Sequence, residues 1–398
     1  MFYYEVTQAC DLVCKHCRAS AQETAAEDEL TTAQSLALID EVAKFERKPT
    51  LVMTGGDPLK RSDLFQLIEY ATKLGIPTAL TPSATPLATR DAFAQAKQVG
   101  VQALGISLDG PNATVHDAFR GFEGSFDKTR EMLDFARQLQ LPVQVNTSIT
   151  RRNFDLIDDI AELLADQCHQ RNNSCHQRKF PGIMMWSVFF LVPVGRGLEE
   201  ERITADEYEV AFEKLWRHAR SKPFAVKTTE APHYRRYVLQ HGGNPLAGAK
   251  DEGRGASEMR HRAPLGVTDG RGIMFVSQNG EIFPAGFLPV VCGKFPDVSP
   301  VETYRSHPVF RALQNPDEYR GICGACEYRH VCGGSRARAY AVTGDYLGPE
   351  PDCCYQVGQV PLVMPEANEQ EHKPNETQHH DGIPPNAVAI EIEVTNRL

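Results

Sequence analysis

The chain has 398 residues, 41% of them hydrophobic and 24% charged, proportions that suit a globular protein with core enough for two or three packed domains. A formal net charge of -10 leaves no general basic face, which excludes nonspecific nucleic-acid binding. No apolar run approaches the length of a membrane span and no signal peptide opens the chain, so a cytoplasmic protein with no membrane partner and mostly reduced cysteines is expected.

In chain order, six compact apolar runs bounded by Gly or Pro read as strands: 2–7, 50–54, 76–81, 103–108, 143–149 and 184–193. Helical spacing separates them, for example Leu36, Ile39, Val42 and Ala43, then Leu156, Ile157, Ile160, Leu163 and Leu164. Thr31 precedes the first of these helices as a candidate cap. Strand–helix alternation predicts parallel strands joined by right-handed crossovers, and six such units make an open or incomplete barrel. Reactive groups then belong at the C-terminal ends of the strands, where Cys10 stands after the first.

Residues 167–182 read as an insertion before the last strand; Cys168, His169, Cys175 and His176 there are possible zinc ligands in what is otherwise a polar loop. A helix is expected over 204–220, after which Gly, Pro, Arg and short strands dominate. The segment VSQNGEIF reads as a hairpin on a type I′ Asn-Gly turn. From about residue 356 the chain turns polar and is expected to be disordered. The first strand begins at once, so either a lead-in segment is missing or the site is unusually open.

Cysteines fall into two groups. Cys10, Cys14 and Cys17, spaced C-x3-C-x2-C, must share one tight loop able to ligate a soft metal centre. Zinc would need a fourth ligand, for which His16 is the near candidate. A four-iron cubane held by three thiolates would keep one iron open, as a reactive site does. Cys323, Cys326, Cys332 and Cys353 form a complete four-thiolate set, for zinc or a full cluster, with Cys354 competing for the last place. Cys292 reads as a small buried hydrophobe.

The first cysteine loop, placed after a first barrel strand and with His16 before its last cysteine, resembles the signature of the radical S-adenosylmethionine enzymes. The resemblance implies a [4Fe-4S] cluster on Cys10, Cys14 and Cys17. Its open iron would chelate S-adenosyl-L-methionine, whose cleavage yields a 5′-deoxyadenosyl radical that abstracts a substrate hydrogen. The TGGDP turn after the second strand (Gly55, Gly56, Asp57) matches the family's Gly-Gly-Glu-like turn, with Asp in place of Glu. Ser107, Arg120 and Asn146 stand where the family touches the cosubstrate's ribose and carboxylate. An external electron donor such as flavodoxin or ferredoxin is implied as well.

The second group resembles the SPASM or twitch extension and implies an auxiliary [4Fe-4S] cluster; Ala285 stands where a second auxiliary cluster would need a cysteine. The expected fold is α/β, a partial (β/α)6 TIM-like barrel with a smaller C-terminal α+β iron-sulfur domain. The expected divisions are 1–203 for the barrel, 204–270 for a linking helix and substrate-side connection, 271–356 for the auxiliary-cluster domain and 357–398 for the tail.

The stretches GEIFPAGFLP, HPVFRAL and GICGACEYRHVCGG are most similar to the haem-pathway SPASM enzymes, which implies a small anionic substrate such as a tetrapyrrole bearing propionates. Glu230, His233, Tyr234, Arg235, Arg236, Arg254, Arg260, His261, Arg262, Arg336 and Arg338 are the candidate substrate-side groups, because Arg forks suit carboxylates. Modification of a ribosomal peptide is the alternative within the class; it calls for an N-terminal docking module, for which no room precedes the first strand. A non-catalytic zinc-stabilised scaffold is the alternative outside it.

Overall fold

The computed structural model describes residues 1–169, 182–243 and 267–358. Cys175, His176, Arg254, Arg260, His261, Arg262 and the polar tail lie outside the described residues. The six expected strands form β1 (Phe2–Glu5), β2 (Leu51–Thr54), β3 (Thr78–Leu80), β4 (Val101–Ser107), β5 (Val143–Ile149) and β6 (Ile183–Phe190). Four more join them: β7 (Ala225–Thr229), β8 (Met274–Val276), β9 (Glu281–Phe283) and β10 (Gly293–Lys294). The sheet order is β10-β9-β8-β1-β2-β3-β4-β5-β6-β7, parallel from β8 to β7 and antiparallel only at β9 and β10. β7 and β8 do not pair, so the barrel stays open. The architecture is thus the expected α/β partial barrel, extended by β7 at one side and by β8, β9 and β10 at the other.

Among the described residues its helices are α1 (Thr32–Ala43), α2 (Leu64–Lys73), α3 (Arg90–Gln98), α4 (Ala113–Arg120), α5 (Ser125–Gln138), α6 (Ile157–His169), α7 (Ala205–Ser221) and α8 (His233–Gln240), then α9 (Pro300–Ser306), α10 (Pro308–Gln314), α11 (Gly321–Ala325) and α12 (Arg336–Thr343), none of these last longer than eight residues. Thr31 caps α1 through a capping box with Gln34, and Thr204 caps α7 with Glu207 in the same way. α1 then buries Leu38, Ile39 and Val42 against the sheet, each side chain contributing about 1.5–3 kcal/mol. Strands alternate with period two. In β5, Val143, Val145 and Ile149 are buried in the core that the helices cover, while Gln144, Asn146 and Ser148 are half-buried on the opposite, concave face. Among the described residues no helix is long and apolar enough to cross a membrane.

The hairpin forms, but not on a type I′ turn. Val276 faces Ile282 across five residues, of which Gly280 takes φ +89° and Asn279 keeps an ordinary negative φ. A type I′ turn needs positive φ at two successive residues. Here the Gly280 N–H donates to Ser277 O at 3.0 Å and the Ser277 hydroxyl accepts from Glu281 N at 3.0 Å, so a backbone turn bond and a side-chain bond together replace the tighter turn. β8 pairs with β1, which makes the hairpin a continuation of the barrel sheet.

A buried arginine ties the C-terminal segment to the barrel. Arg338, 0% exposed, reaches the carbonyls of Phe190 and Leu191 (both 3.3 Å) at the end of β6, and Glu230 O beyond β7. It also pairs with Glu350 at 3.0 and 3.1 Å and with Asp352 at 3.2 Å. Burial opposes ionisation of Glu350, but the Arg338 charge leaves its carboxyl below the usual range. Arg336, also fully buried, bonds Gly348 O at 2.6 Å. Neither side chain is free to receive a substrate carboxylate, which corrects the expectation for both.

Candidate functional site

The first cysteine loop leaves the C-terminal end of β1. Backbone bonds shape it: Cys10 N donates to Gln22 O at 2.7 Å and Cys17 N to Cys14 O at 3.3 Å. Each sulfur also has a donor: Leu12 N to Cys10 (3.4 Å), Arg120 Nη1 to Cys14 (3.7 Å) and Ala21 N to Cys17 (3.4 Å). Cys10 and Cys14 are buried and Cys17 is half-buried. Burial pushes the Cys10 and Cys14 thiols up, and Arg120 opposes this at Cys14. A soft metal binding here must therefore displace protons, and N–H groups already aimed at sulfur would steady the resulting thiolates. His16 instead lays its ring on Phe119, centroids 4.5 Å apart, and burial with Arg120 and Arg196 keeps it neutral. Among the described residues no three His, Cys, Asp or Glu side chains converge as a single metal ion requires. A cubane asks for a wider spread, since each thiolate ties a different iron.

The TGGDP turn packs directly on this loop. Gly56 N donates to Thr7 O at 2.9 Å and Asp57 N to Ala9 O at 2.6 Å. A Cβ at Gly56 would stand 2.4 Å from Ala9 O, and one at Gly55 2.5 Å from Thr7 O, so both glycines are needed for loop to meet loop. Asp57 is fully buried; its carboxylate accepts from Leu59 N, Ser83 N and, at 2.6 Å, the Thr85 hydroxyl. Ser83, which sequence reading passed over, donates to Gly56 O at 2.7 Å and lies 3.8 Å from Cys10 Sγ.

Ser107 and Asn146 are Cα partners across β4 and β5, and Asn146 pairs in turn with Ser187 on β6, giving a polar row across the concave face. Asn146 Oδ1 accepts from Gln144 Nε2 at 2.8 Å. Arg120 is engaged on two sides, by the buried carboxylate of Asp109 at 2.5 Å and by Cys14. Asp109 stands in the SLDG stretch, yet nothing in the sequence marks it as the partner of Arg120. Arg196 was also missed: its guanidinium clamps Cys14 O at 2.9 Å and Ala21 O at 2.8 Å, and its N–H donates to Cys17 O at 2.9 Å. The only local hint is its glycine neighbour, Gly195, where a Cβ would stand 2.3 Å from Arg18 O. Beside this loop opens a cavity of about 410 Å³, lined by Glu5, Gln8, Arg18, Phe275, Gln278 and Glu281 among others. Arg18 crosses it, bonded to Glu5 at 2.8 Å and lying over the Phe275 ring at 4.4 Å.

The second cysteine group comes together as well. Cys323, Cys326, Cys332 and Cys353 line one small hollow with His233 and Tyr355, while Cys354 is exposed. Cys323 accepts from Glu350 N at 3.2 Å and Arg336 Nη2 at 3.5 Å, and Cys332 from Gly334 N at 3.4 Å. Burial pushes the Cys353 thiol up to about 12. Cys292 packs in the main core and Cys168 at its edge.

The remaining substrate-side candidates are held by their own neighbours. Arg235 bonds Val331 O and Val267 O, and Arg236 bonds Glu209 at 2.8 Å. Burial and the neighbouring Asp269 hold the Glu230 carboxyl far above the usual range, and its oxygen accepts from the Ser335 hydroxyl. Tyr234 is buried in the core. Lys227, passed over in the sequence, pairs with Ser187 in register on the concave face, where burial lowers its ammonium to about 8.

A family model described as the Radical SAM superfamily matches residues 4–164. The chain is 37% identical over 359 residues to an AdoMet-dependent heme synthase of Methanosarcina barkeri, spanning 89% of this chain and 96% of that one. It is 27% identical over 370 residues to a pre-heme d1 synthase of Dinoroseobacter shibae, spanning 88% and 85%. Among solved structures, Streptococcus suis SuiB bound to S-adenosylmethionine superposes with TM-score 0.63 at 14% identity, over 89% of this chain and 77% of that one.

Proposed function

This chain belongs to the radical SAM superfamily, and on that premise we propose that it modifies the propionate side chains of an iron tetrapyrrole, as a haem synthase does. It is an iron–sulfur enzyme that binds S-adenosylmethionine and catalyses a radical reaction. The observation that carries the substrate reading is the 37% identity to a haem synthase across 89% of this chain and 96% of that one. The SuiB likeness, at 14% identity, is one of fold, so it does not favour a peptide substrate. Membership in an enzyme superfamily replaces the zinc-scaffold alternative.

In this reading Cys10, Cys14 and Cys17 hold the [4Fe-4S] cluster, and three buried or half-buried sulfurs, each already met by a donor, fit it. The bound cluster and S-adenosylmethionine supply a 5′-deoxyadenosyl radical that takes a hydrogen atom from the substrate. The chain's own residues bind and orient. Gly55 and Gly56 set the second turn against the cysteine loop so that its backbone reaches the cosubstrate, Asp57 holds that turn from behind, and Ser107 and Asn146 face it from the concave sheet. Arg120 places its charge beside Cys14, neutralised by Asp109. The cavity beside Arg18 receives the substrate, with that guanidinium near its carboxylates. Cys323, Cys326, Cys332 and Cys353 hold an auxiliary [4Fe-4S] cluster, and an external donor such as flavodoxin or ferredoxin supplies electrons. Residues 1–203 act as the radical domain and 271–356 as the auxiliary-cluster domain.

The test is anaerobic reconstitution followed by reduction with S-adenosylmethionine and iron-coproporphyrin. Loss of propionate mass with matching 5′-deoxyadenosine is expected, and Cys14→Ser abolishes both. Cosubstrate cleavage without any change in the porphyrin would overturn the substrate reading.

A further inference from the structure

His233 occupies a position that packing alone does not explain. It opens α8, is 1% exposed, and sits in an aromatic cage, its ring centroid 4.9 Å from those of both Tyr208 and Phe212. Among the described residues neither Nδ1 nor Nε2 has a hydrogen-bond partner. A neutral imidazole carries one N–H and one lone pair, and burying both unmet is unfavourable. Phenylalanine would fill the same cage without that penalty. The ring does, however, line the hollow shared by Cys323, Cys326, Cys332 and Cys353. The four sulfurs are acceptors there, and three donors of this wall already point at one: Glu350 N and Arg336 at Cys323, Gly334 N at Cys332. The Glu350 carboxylate that also lines the hollow is taken by Arg338 and Ser335 N.

We propose that His233 is a positioning residue of the auxiliary centre, donating an N–H···S hydrogen bond to it and so raising its reduction potential. This rests on the reading that the four cysteines hold an iron–sulfur cluster. Hydrogen bonds to cluster and ligand sulfurs stabilise the more negative, reduced state, which is how such bonds tune potential. The surrounding charges, Glu350, Arg338 and Arg236, are paired with one another or with Glu209, so they set a constant field in which the imidazole dipole adds its own increment.

The experiment uses the full-length chain with Cys10, Cys14 and Cys17 all changed to Ala, so that only the auxiliary site remains. After anaerobic reconstitution, iron and sulfide are counted and the midpoint potential is titrated by electron paramagnetic resonance. Four irons per chain are expected. His233→Phe should keep the iron and shift the midpoint to more negative potential, and His233→Gln, which retains an N–H donor, should recover part of the shift. An unchanged midpoint in His233→Phe overturns the hydrogen bond while leaving the cluster standing. Absence of iron in the parent overturns the cluster reading itself. If His233→Phe does not fold, pulsed resonance on the parent labelled with ¹⁵N-histidine decides. A weak nitrogen coupling supports the N–H···S bond. No coupling, or one strong enough for direct iron ligation, overturns it.

Discussion

Arg120 is the residue on which the first site turns. Its guanidinium joins a fully buried carboxylate, Asp109, to the buried sulfur of Cys14. Removing one partner of such a buried pair leaves the other charge uncompensated, which costs about 3–5 kcal/mol. Arg120→Gln should therefore destabilise the apoprotein by that order, and adding Asp109→Asn should restore much of it. Denaturant unfolding of the four members of this double-mutant cycle measures the coupling, and additivity of the two single changes would sink the assignment. At this scale the grouping of the cysteines was readable from their spacing. Asp109, Ser83 and Arg196 were not, because their roles lie in partners far along the chain; Arg196 and Cys14 are 182 positions apart. Arg336 and Arg338 were misread because sequence shows a charge but not the carboxylates and carbonyls that absorb it inside the fold.

Among elements, the apolar runs of the first six strands were legible because parallel strands covered by helices are uniformly apolar on their covered face. β7 escaped because Lys227, Thr228 and Thr229 dilute its pattern, and β8 because the local signal of its hairpin says nothing of which strand it joins. Loop-to-loop contact is likewise invisible along the chain. The Gly56 contact provides the test: in Gly56→Ala a new methyl must push Ala9 O away, so the cysteine loop shifts. Reconstituted Gly56→Ala should lose iron at the first site, roughly half of the total, while auxiliary iron stays. Full iron loading would show that the two loops do not depend on each other.

For the whole molecule, one buried cation links β6, the turn after β7 and the segment at 350–352. Arg338→Met keeps the side-chain length but strands Glu350, while Asp352 keeps Arg202 at 2.7 Å, and is expected to cost about 3–5 kcal/mol. It should lower the thermal midpoint of the apoprotein and loosen the auxiliary hollow, since Glu350 N supports Cys323. A midpoint equal to wild type in calorimetry would mean that the two halves hold together by apolar packing alone. The sequence by itself determined the barrel class, the cap of α1 and the grouping of the cysteines, all of which depend on short-range periodicity, hydrogen bonding between near neighbours and thiol spacing. Only the tertiary structure decided the extra strands, the clamp on the cysteine loop and the fate of the buried arginines. Those rest on contacts between segments that periodicity does not connect, as between Arg196 and Cys14, 182 positions apart, and between Arg338 and Phe190, 148 apart, and burial rather than residue type sets which charges remain free.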